Sequence, residues 1–149
     1  MKKNLLFLLA IMLLFTANGF TQVTQSTGAM KVYVSAYGKF RLLTNDDTQQ
    51  LDRASILVGT SESAVLDFNS DINSKLVPTA LVNTPLSSDF EITGVYGRDA
   101  SSSLPDVEEA INVYGWTNAG YVIVRFKIKN VATTEITAHI GLDILPNLN

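Results

Sequence analysis

An all-β fold, an antiparallel β-sandwich behind an amino-terminal signal peptide, is predicted by this sequence of 149 residues. Apolar residues make up 46% of the chain, which is typical of one globular domain. Several short segments alternate apolar and polar residues, the period of a strand with one buried face. Beyond the signal peptide, no segment has the apolar spacing of an amphipathic helix. These three observations favour strands throughout the domain.

The signal peptide is predicted over residues 1–19. Two lysines precede an unbroken apolar run from Leu5 to Phe15, which has the length of a signal-peptide core and is too short to span a bilayer. The small residues Ala17 and Gly19 fit a cleavage site after Gly19, and a site a few residues later is the alternative. We expect export to the periplasm, the cell surface or the medium, without a membrane span after cleavage. An uncleaved anchor is the alternative, which the lack of a following basic cluster disfavours.

Composition excludes several classes of site and partner. The chain has no cysteine, so disulfides, thiolate metal sites and a lipid-bearing cysteine are ruled out. With 11 basic and 14 acidic residues, the formal charge is −3 and no basic block is present. Nucleic acid is therefore not an expected partner.

The first elements of the domain follow a polar lead-in, residues 20–30, for which no packed element is predicted. The domain is expected to cover residues 31–149. KVYVSAYG alternates and predicts a strand with Val32, Val34 and Ala36 on one face. TNDDTQQLD indicates a loop, and RASILVGT and SAVLDF predict a tight hairpin that turns at Ser61 and Glu62.

The middle of the chain predicts shorter and weaker strands. Two prolines, Pro78 and Pro85, flank a single weak strand around Leu81. DFEITGVYG predicts a strand, RDASSSLPD a loop, and EAINVYGW a further strand. For VEEA, a single helical turn is the alternative.

The last segment, residues 121–144, predicts a hairpin closed by residues 130–134, with Lys129 opposite Glu135. Its core face would carry the pairs Ile128–Ile136, Phe126–Ala138, Val124–Ile140 and Val122–Leu142. Its polar face would carry Lys127–Thr137, Arg125–His139, Ile123–Gly141 and Tyr121–Asp143. Because Ile140 would face the core, Ile140→Lys is expected to prevent folding.

Three stretches, RASILVGTSESAVLDF, INVYGWTNAGYVIVRFKIKN and AHIGLDI, together resemble a known region of secreted proteins. This region is the amino-terminal β-rich part of large secreted or cell-surface proteins from bacteria with type IX secretion, some of them subtilisin-like proteases. Gly59-Thr60, Asn130 and the ending Gly141-Leu-Asp143-Ile144 carry the likeness, although the first aspartate of the ending is missing. The similarity covers residues 53 to 144.

The resemblance implies a non-catalytic, supersandwich-like module whose enzymatic or sorting parts lie elsewhere. A truncated chain or a fragment of a larger hydrolase is accordingly an expectation. An incomplete sandwich would leave one face of the 121–144 segment poorly covered or one edge unpaired. Such an edge predicts self-association.

Candidate chemistry is sparse. His139, with Arg125 and Asp143 nearby in the predicted hairpin, lacks the context of a nucleophile and is predicted not to be catalytic. Asp67, Asn69 and Asp71 place oxygens at alternate positions, as in a calcium loop. Ile72 and Pro78 stand where an EF-hand needs glycine and glutamate, so an Asx-rich turn is the preferred interpretation and an irregular Ca²⁺ site the alternative.

Aromatic residues are the remaining candidates for binding. Trp116, with Tyr114 and Tyr121, would form a platform for stacking sugar rings, but ordinary semi-buried packing is the preferred interpretation. The sequence thus predicts a secreted, non-enzymatic β-sandwich with a structural or interaction role and a protein or glycan partner. Glycan binding and the amino-terminal part of a larger secreted hydrolase are the alternatives.

Overall fold

The computed structural model describes residues 22–69, 74–98 and 103–147, and these form ten strands and no helix. The strands are β1 (Val23–Ser26), β2 (Lys31–Val34), β3 (Phe40–Leu43), β4 (Gln49–Ser61), β5 (Ala64–Asp67), β6 (Ser74–Leu81), β7 (Phe90–Gly97), β8 (Val107–Gly115), β9 (Val122–Asn130) and β10 (His139–Pro146). The predicted signal peptide lies outside the described residues. Within them, no helix is long and apolar enough to cross a membrane.

Two antiparallel sheets pack together, which confirms the predicted β-sandwich. The large sheet has the order β1-β2-β3-β4-β10, and β5 adds to β4 on the same edge as β3. The small sheet has the order β6-β7-β8-β9. The chain therefore leaves the large sheet after β5, builds the small sheet, and returns with β10.

The core between the sheets consists of two apolar clusters. The first joins the buried residues Val32, Val34, Phe40, Ala54, Phe90, Ile92, Tyr96, Ile111 and Val113. The second joins Ile56, Val58, Leu66, Phe68 and Val107. Period-two alternation puts these side chains on inner faces, as in β8, where every second residue is buried.

Most predicted elements of the first two thirds are confirmed. Val32, Val34 and Ala36 are buried as predicted, and β4 and β5 form the expected hairpin, with its turn at residues 62–63, one residue later than predicted. The weak strand around Leu81 is β6, the next strand is β7, and VEEA belongs to β8 rather than to a helical turn.

Two parts of the chain are more ordered than the sequence predicts. The lead-in contains β1, which pairs with β2 and packs Val23 against the core. The predicted TNDDTQQLD loop is shorter, because its last four residues already belong to β4. β1 and the first four residues of β4 each contain a single apolar residue, which is too little to show alternation. Neither was therefore predicted as a strand.

The predicted hairpin of residues 121–144 is wrong. β9 pairs with β8, and β10 pairs with β4, so the two strands lie in different sheets. Lys129 faces Glu108 rather than Glu135, and His139 lies opposite Gly59 rather than Arg125. The alternation was interpreted correctly, but alternation specifies the face of a strand and not its neighbour.

The connection between β9 and β10, residues 131–138, crosses from the small sheet to the large one. At its start the Asn130 side chain accepts a hydrogen bond from Ala132 N and donates one to Thr134 O, both 2.9 Å long. Farther on, Ile136 and Ala138 pack against the second core cluster. The connection is thus anchored at both ends and closes one end of the sandwich.

Candidate functional site

One side of the sandwich ends in two edge strands, β9 of the small sheet and β10 of the large sheet. On the other side β1 lies against β6, so the edges of the two sheets are aligned there. Counted from that side, the large sheet has five strand positions and the small sheet has four. Phe126 and Ile128 of β9 pack against the second core cluster, which contains Ile56 and Val58 of β4. Among the strands of the described residues, none therefore lies opposite the fifth position, β10.

The inner face of β10 is apolar and exposed. Ile140, Leu142 and Ile144 have exposed fractions of 64%, 54% and 53%. Their partners on β4, in the same order, are Val58, Ile56 and Ala54, which are at most 8% exposed. Directly paired residues share a face of a sheet, so the β10 row points to the side on which the small sheet packs. It lies one strand position beyond β9, the last strand of that sheet. The poorly covered face expected of the 121–144 segment is found here.

We call the apolar row of β10 (Ile140, Leu142, Ile144) together with the inward row of β9 (Val122, Val124, Phe126, Ile128) the open edge. The β9 row is half-buried, since it packs against the core on one side only. None of the β10 residues belongs to either core cluster. The premise of the Ile140→Lys expectation, a side chain covered by the core, is therefore wrong. Because a side chain this exposed can place a charge in water, we expect the variant to fold.

The outward face of β9 is basic. Arg125, Lys127 and Lys129 follow each other at alternate positions and are all exposed. The Lys129 ammonium lies 3.6 Å from a Glu108 carboxylate oxygen, and the Arg125 guanidinium donates to Asn112 Oδ1 at 2.7 Å. Both partners belong to β8, so β9 presents its cations beside a free strand edge.

β10 is fixed to the large sheet by an ion pair as well as by its backbone. Arg53 Nε donates to Asp143 Oδ2 at 2.7 Å, and this contact raises the pKa of Arg53. At the start of β10, His139 lines a shallow depression of about 340 Å³ with residues 59–62 and Val65. Arg125 lies in the other sheet, so the structure does not bring the three hairpin residues considered for catalysis together.

The aromatic corner, defined by Trp116 and Tyr121, lies where β8 turns into β9. The two ring centroids are 5.8 Å apart and the planes are inclined by 42°. Tyr121 is 59% exposed, whereas the half-buried Trp116 donates its indole N–H to Ser87 O at 3.1 Å. Tyr114 lies on the outward face of β8, and the Arg125 guanidinium sits 6.0 Å from its ring centroid. The structure therefore pairs two of the three predicted aromatic residues.

The turn that carries Trp116 is held by polar contacts. Thr117 N donates to Asp89 Oδ2 at 2.7 Å, and this hydrogen bond lowers the pKa of Asp89. Asn118 N donates to Thr27 O, which ties the turn to the end of β1. Asn118 adopts a φ of 63°, a left-handed conformation that asparagine tolerates well. Trp116 is thus presented by a turn that hydrogen bonds tie to Asp89 and to Thr27.

The predicted calcium ligands are only partly described. Asp67 Oδ1 accepts a hydrogen bond from Asn69 N at 2.8 Å, which forms an Asx turn, and a second one from Ser55 Oγ at 3.2 Å. Asp71 lies outside the described residues. In the part of the chain that the structure describes, no three acidic or histidine side chains gather as a metal site. The Asx turn matches the preferred interpretation of this segment.

A buried carboxyl group escaped the sequence analysis. Glu109 lies on the inner face of β8, between Val107 of the second cluster and Ile111 of the first, and is only 4% exposed. Burial raises the pKa of Glu109 to about 8. The alternation of β8 already places this residue inward, which was the signal available in the sequence.

A scan against protein-family models finds no match for this chain. Searches of curated proteins and of solved structures find none either. The resemblance to type IX-secreted proteins therefore stays a prediction from sequence.

Proposed function

We propose that this chain is a non-catalytic β-sandwich module of an exported protein, and that it acts by binding another protein through the open edge. The observation that carries the proposal is the exposed inward row of β10, where three large aliphatic side chains are each more than half exposed. Single exposed apolar residues are ordinary on protein surfaces, but a continuous row beside a free strand edge is typical of an interaction site.

The architecture supports the same function. The opposite side of the sandwich is closed by the short strand β1 and by β6, which contains Pro78. Short edge strands and proline are common means of preventing strand pairing. β9 and β10 are both at least twice as long as β1 and carry apolar inward rows, so this side favours association. Export itself is supported by the basic and apolar amino terminus of the sequence.

Photo-crosslinking in the cells that make the protein tests the proposal. A photoreactive amino acid replaces Leu142 in the open edge or, as the matched control, Leu86, which is 99% exposed and lies outside it. We expect one crosslinked product of defined mass from position 142 and none of that mass from position 86. Equal crosslinking from both positions, or none from either, would contradict the proposal.

Glycan binding at the aromatic corner is the second candidate. The observation that favours it is the tilted pair of Trp116 and the exposed Tyr121, a geometry that offers two apolar ring faces to a saccharide. Hydrogen bonds of the turn and of the Trp116 indole N–H hold the ring in place before any ligand arrives, which reduces the entropic cost of binding.

A glycan array with the exported form of the chain tests this candidate. Any hit is repeated with Tyr121→Ala and with Tyr33→Ala, a tyrosine of β2 outside the corner that stacks near Arg41. We expect Tyr121→Ala to abolish the signal and Tyr33→Ala to retain it. An array without hits removes glycan binding as a function.

A further inference from the structure

We infer that the free edge of β9 takes up an extended strand from a protein partner, and that this strand alternates apolar residues with acidic ones. The inference rests on the proposed function, because it specifies the partner of the same open edge. Two separate features of the structure lead to it, the vacant fifth position of the small sheet and the basic outward face of β9.

The vacant position determines the shape of the occupant. A fifth strand of the small sheet would lie about 4.8 Å beyond β9 and about 10 Å above β10. In that position it would accept and donate backbone hydrogen bonds along β9, which pairs only with β8 among the described strands. It would also cover the apolar row of β10. One added strand would thus pair with the backbone of β9 and cover the apolar row of β10.

The inward side chains of the occupant must be apolar. They would contact Ile140, Leu142 and Ile144 below them and the half-buried row of β9 beside them. Burial of such aliphatic surface is the main favourable contribution to strand addition, along with the backbone hydrogen bonds. A polar inward row would leave the β10 row without apolar contacts and its own groups unsatisfied.

The outward side chains of the occupant are selected by charge. On β9 the outward row contains Arg125, Lys127 and Lys129, and residues directly opposite on a neighbouring strand lie about 5 Å away. Opposite charges at this distance stabilise strand pairing and like charges destabilise it. An acidic outward row therefore fits this edge.

The same charges argue against a second copy of this chain. Two β9 strands paired antiparallel around Lys127 would place Lys127 against itself and Arg125 against Lys129. Pairing through β10 would lengthen the large sheet but leave the fifth position of the small sheet vacant. Lysine on an edge strand commonly prevents such self-pairing, and it leaves the edge available to an acidic strand.

Peptide binding to the exported form of the chain tests the inference. The probe is a peptide of the length of β9 in which Val alternates with Glu, and the matched probe has Lys in place of Glu. We expect the Glu peptide to bind about tenfold more tightly than the Lys peptide. We also expect it to slow the hydrogen exchange of β9 amides more than that of β7 amides, since β7 lies inside the sheet.

Variants of the chain test which edge binds the peptide. They also distinguish the contribution of charge to binding from that of apolar contact. Lys127→Glu should weaken binding of the Glu peptide and strengthen that of the Lys peptide, each by about threefold. Lys39→Glu, the same charge change in the turn between β2 and β3, should leave the preference unchanged. Leu142→Ser should weaken binding of both peptides, with an unchanged circular dichroism spectrum.

The inference would be overturned by equal affinity for both peptides, by protection of β10 rather than β9 amides, or by no binding at any soluble concentration. Slow exchange of β9 amides through self-association alone would also overturn it, since the charges of β9 exclude that pairing. If these results occur while position 142 still crosslinks a partner in cells, the proposed function stands and only the strand chemistry is wrong.

Discussion

β8 and β10 are both strands with an alternating apolar row that points between the two sheets, yet their environments differ completely. Ile111 and Val113 of β8 are fully buried, whereas Leu142 and Ile144 of β10 are more than half exposed. β8 has neighbours on both sides in its sheet and faces the large sheet, while β10 lies beyond the last strand of the small sheet. Alternation therefore determines which way a side chain points, and the opposing sheet determines whether it is covered.

The largest effect should come from truncating the covered row. Ile111→Ala removes a fully buried side chain and is expected to reduce the free energy of unfolding by about 2 to 5 kcal/mol, through lost burial and the remaining cavity. Leu142→Ala, the matched truncation in the open edge, should cost less than about 1 kcal/mol because much of that side chain is already in water. Urea unfolding of both variants measures the difference, and equal losses would contradict it.

The buried carboxyl of Glu109 should make the covered region sensitive to pH. Its pKa is about 8 in the folded protein against 4.5 for the free group, so the folded state favours the neutral acid. The resulting stability is fully present below pH 4.5 and is lost as the pH rises through 8, at no more than about 1.4 kcal/mol per pH unit.

Glu109→Gln cannot ionise and should remove this pH dependence, so that its free energy of unfolding exceeds that of the parent at pH 8 by up to about 4 kcal/mol. Urea unfolding between pH 5 and pH 9 checks the slope. Glu62→Gln, at the exposed tip of the β4–β5 hairpin, is the control and should keep the slope of the parent. A parent protein with the same stability at both ends of this range would mean that Glu109 is not buried as described.

An intermediate effect is expected at Gly94, next to the core of the small sheet. An added Cβ would overlap the ring and hydroxyl of Tyr96, whose hydroxyl shares a 2.6 Å hydrogen bond with Thr79 Oγ1. Gly94→Ala should therefore cost about 1 to 3 kcal/mol through overpacking. Gly120→Ala, where an added Cβ meets no atom within 4 Å, should change stability far less. Thermal unfolding compares the two, and equal shifts would argue against the described packing of Tyr96.

The smallest effect on stability should come from a charge in the open edge. Ile140 is 64% exposed, so Ile140→Lys should change the free energy of unfolding by no more than about 0.5 kcal/mol. The variant should nevertheless reduce any self-association of the parent, because a lysine on the open edge opposes apolar contact. Light scattering and urea unfolding on the same samples measure both quantities. An unfolded variant would show that the β10 row is covered after all.

The sequence predicts the fold class well because period-two alternation is a local property. Val32, Val34 and Ala36 were assigned to the correct face, and the β4–β5 turn was predicted from its flanking apolar runs to within one residue. The pairing partner of a strand cannot be predicted in this way, since any two strands with the same alternation can pair with matching faces. β9 and β10 seemed to form a hairpin for this reason, although each has a better-placed partner in β8 and β4.

The candidate site shows the same division between local and non-local information. Trp116 and Tyr121 were found because they flank one turn, and the turn brings them together. A poorly covered face of the 121–144 segment was expected, but its place on β10 was not, since the exposure of Leu142 depends on the number of strands in the opposite sheet. Glu109 was missed because its acidic character suggested a surface position despite its inward place in the alternation.

The central claim, that the inward row of β10 is uncovered while that of β8 is covered, is tested most directly by thiol labelling. The chain has no cysteine, so Leu142→Cys and Val113→Cys each introduce a single thiol. We expect the thiol at position 142 to react with a maleimide almost as fast as in an unfolded chain. At position 113 the reaction should be slower by about a thousandfold or more, because it requires the sandwich to open. Equal and strong protection at both positions would contradict the account, since it would place β10 inside a complete core.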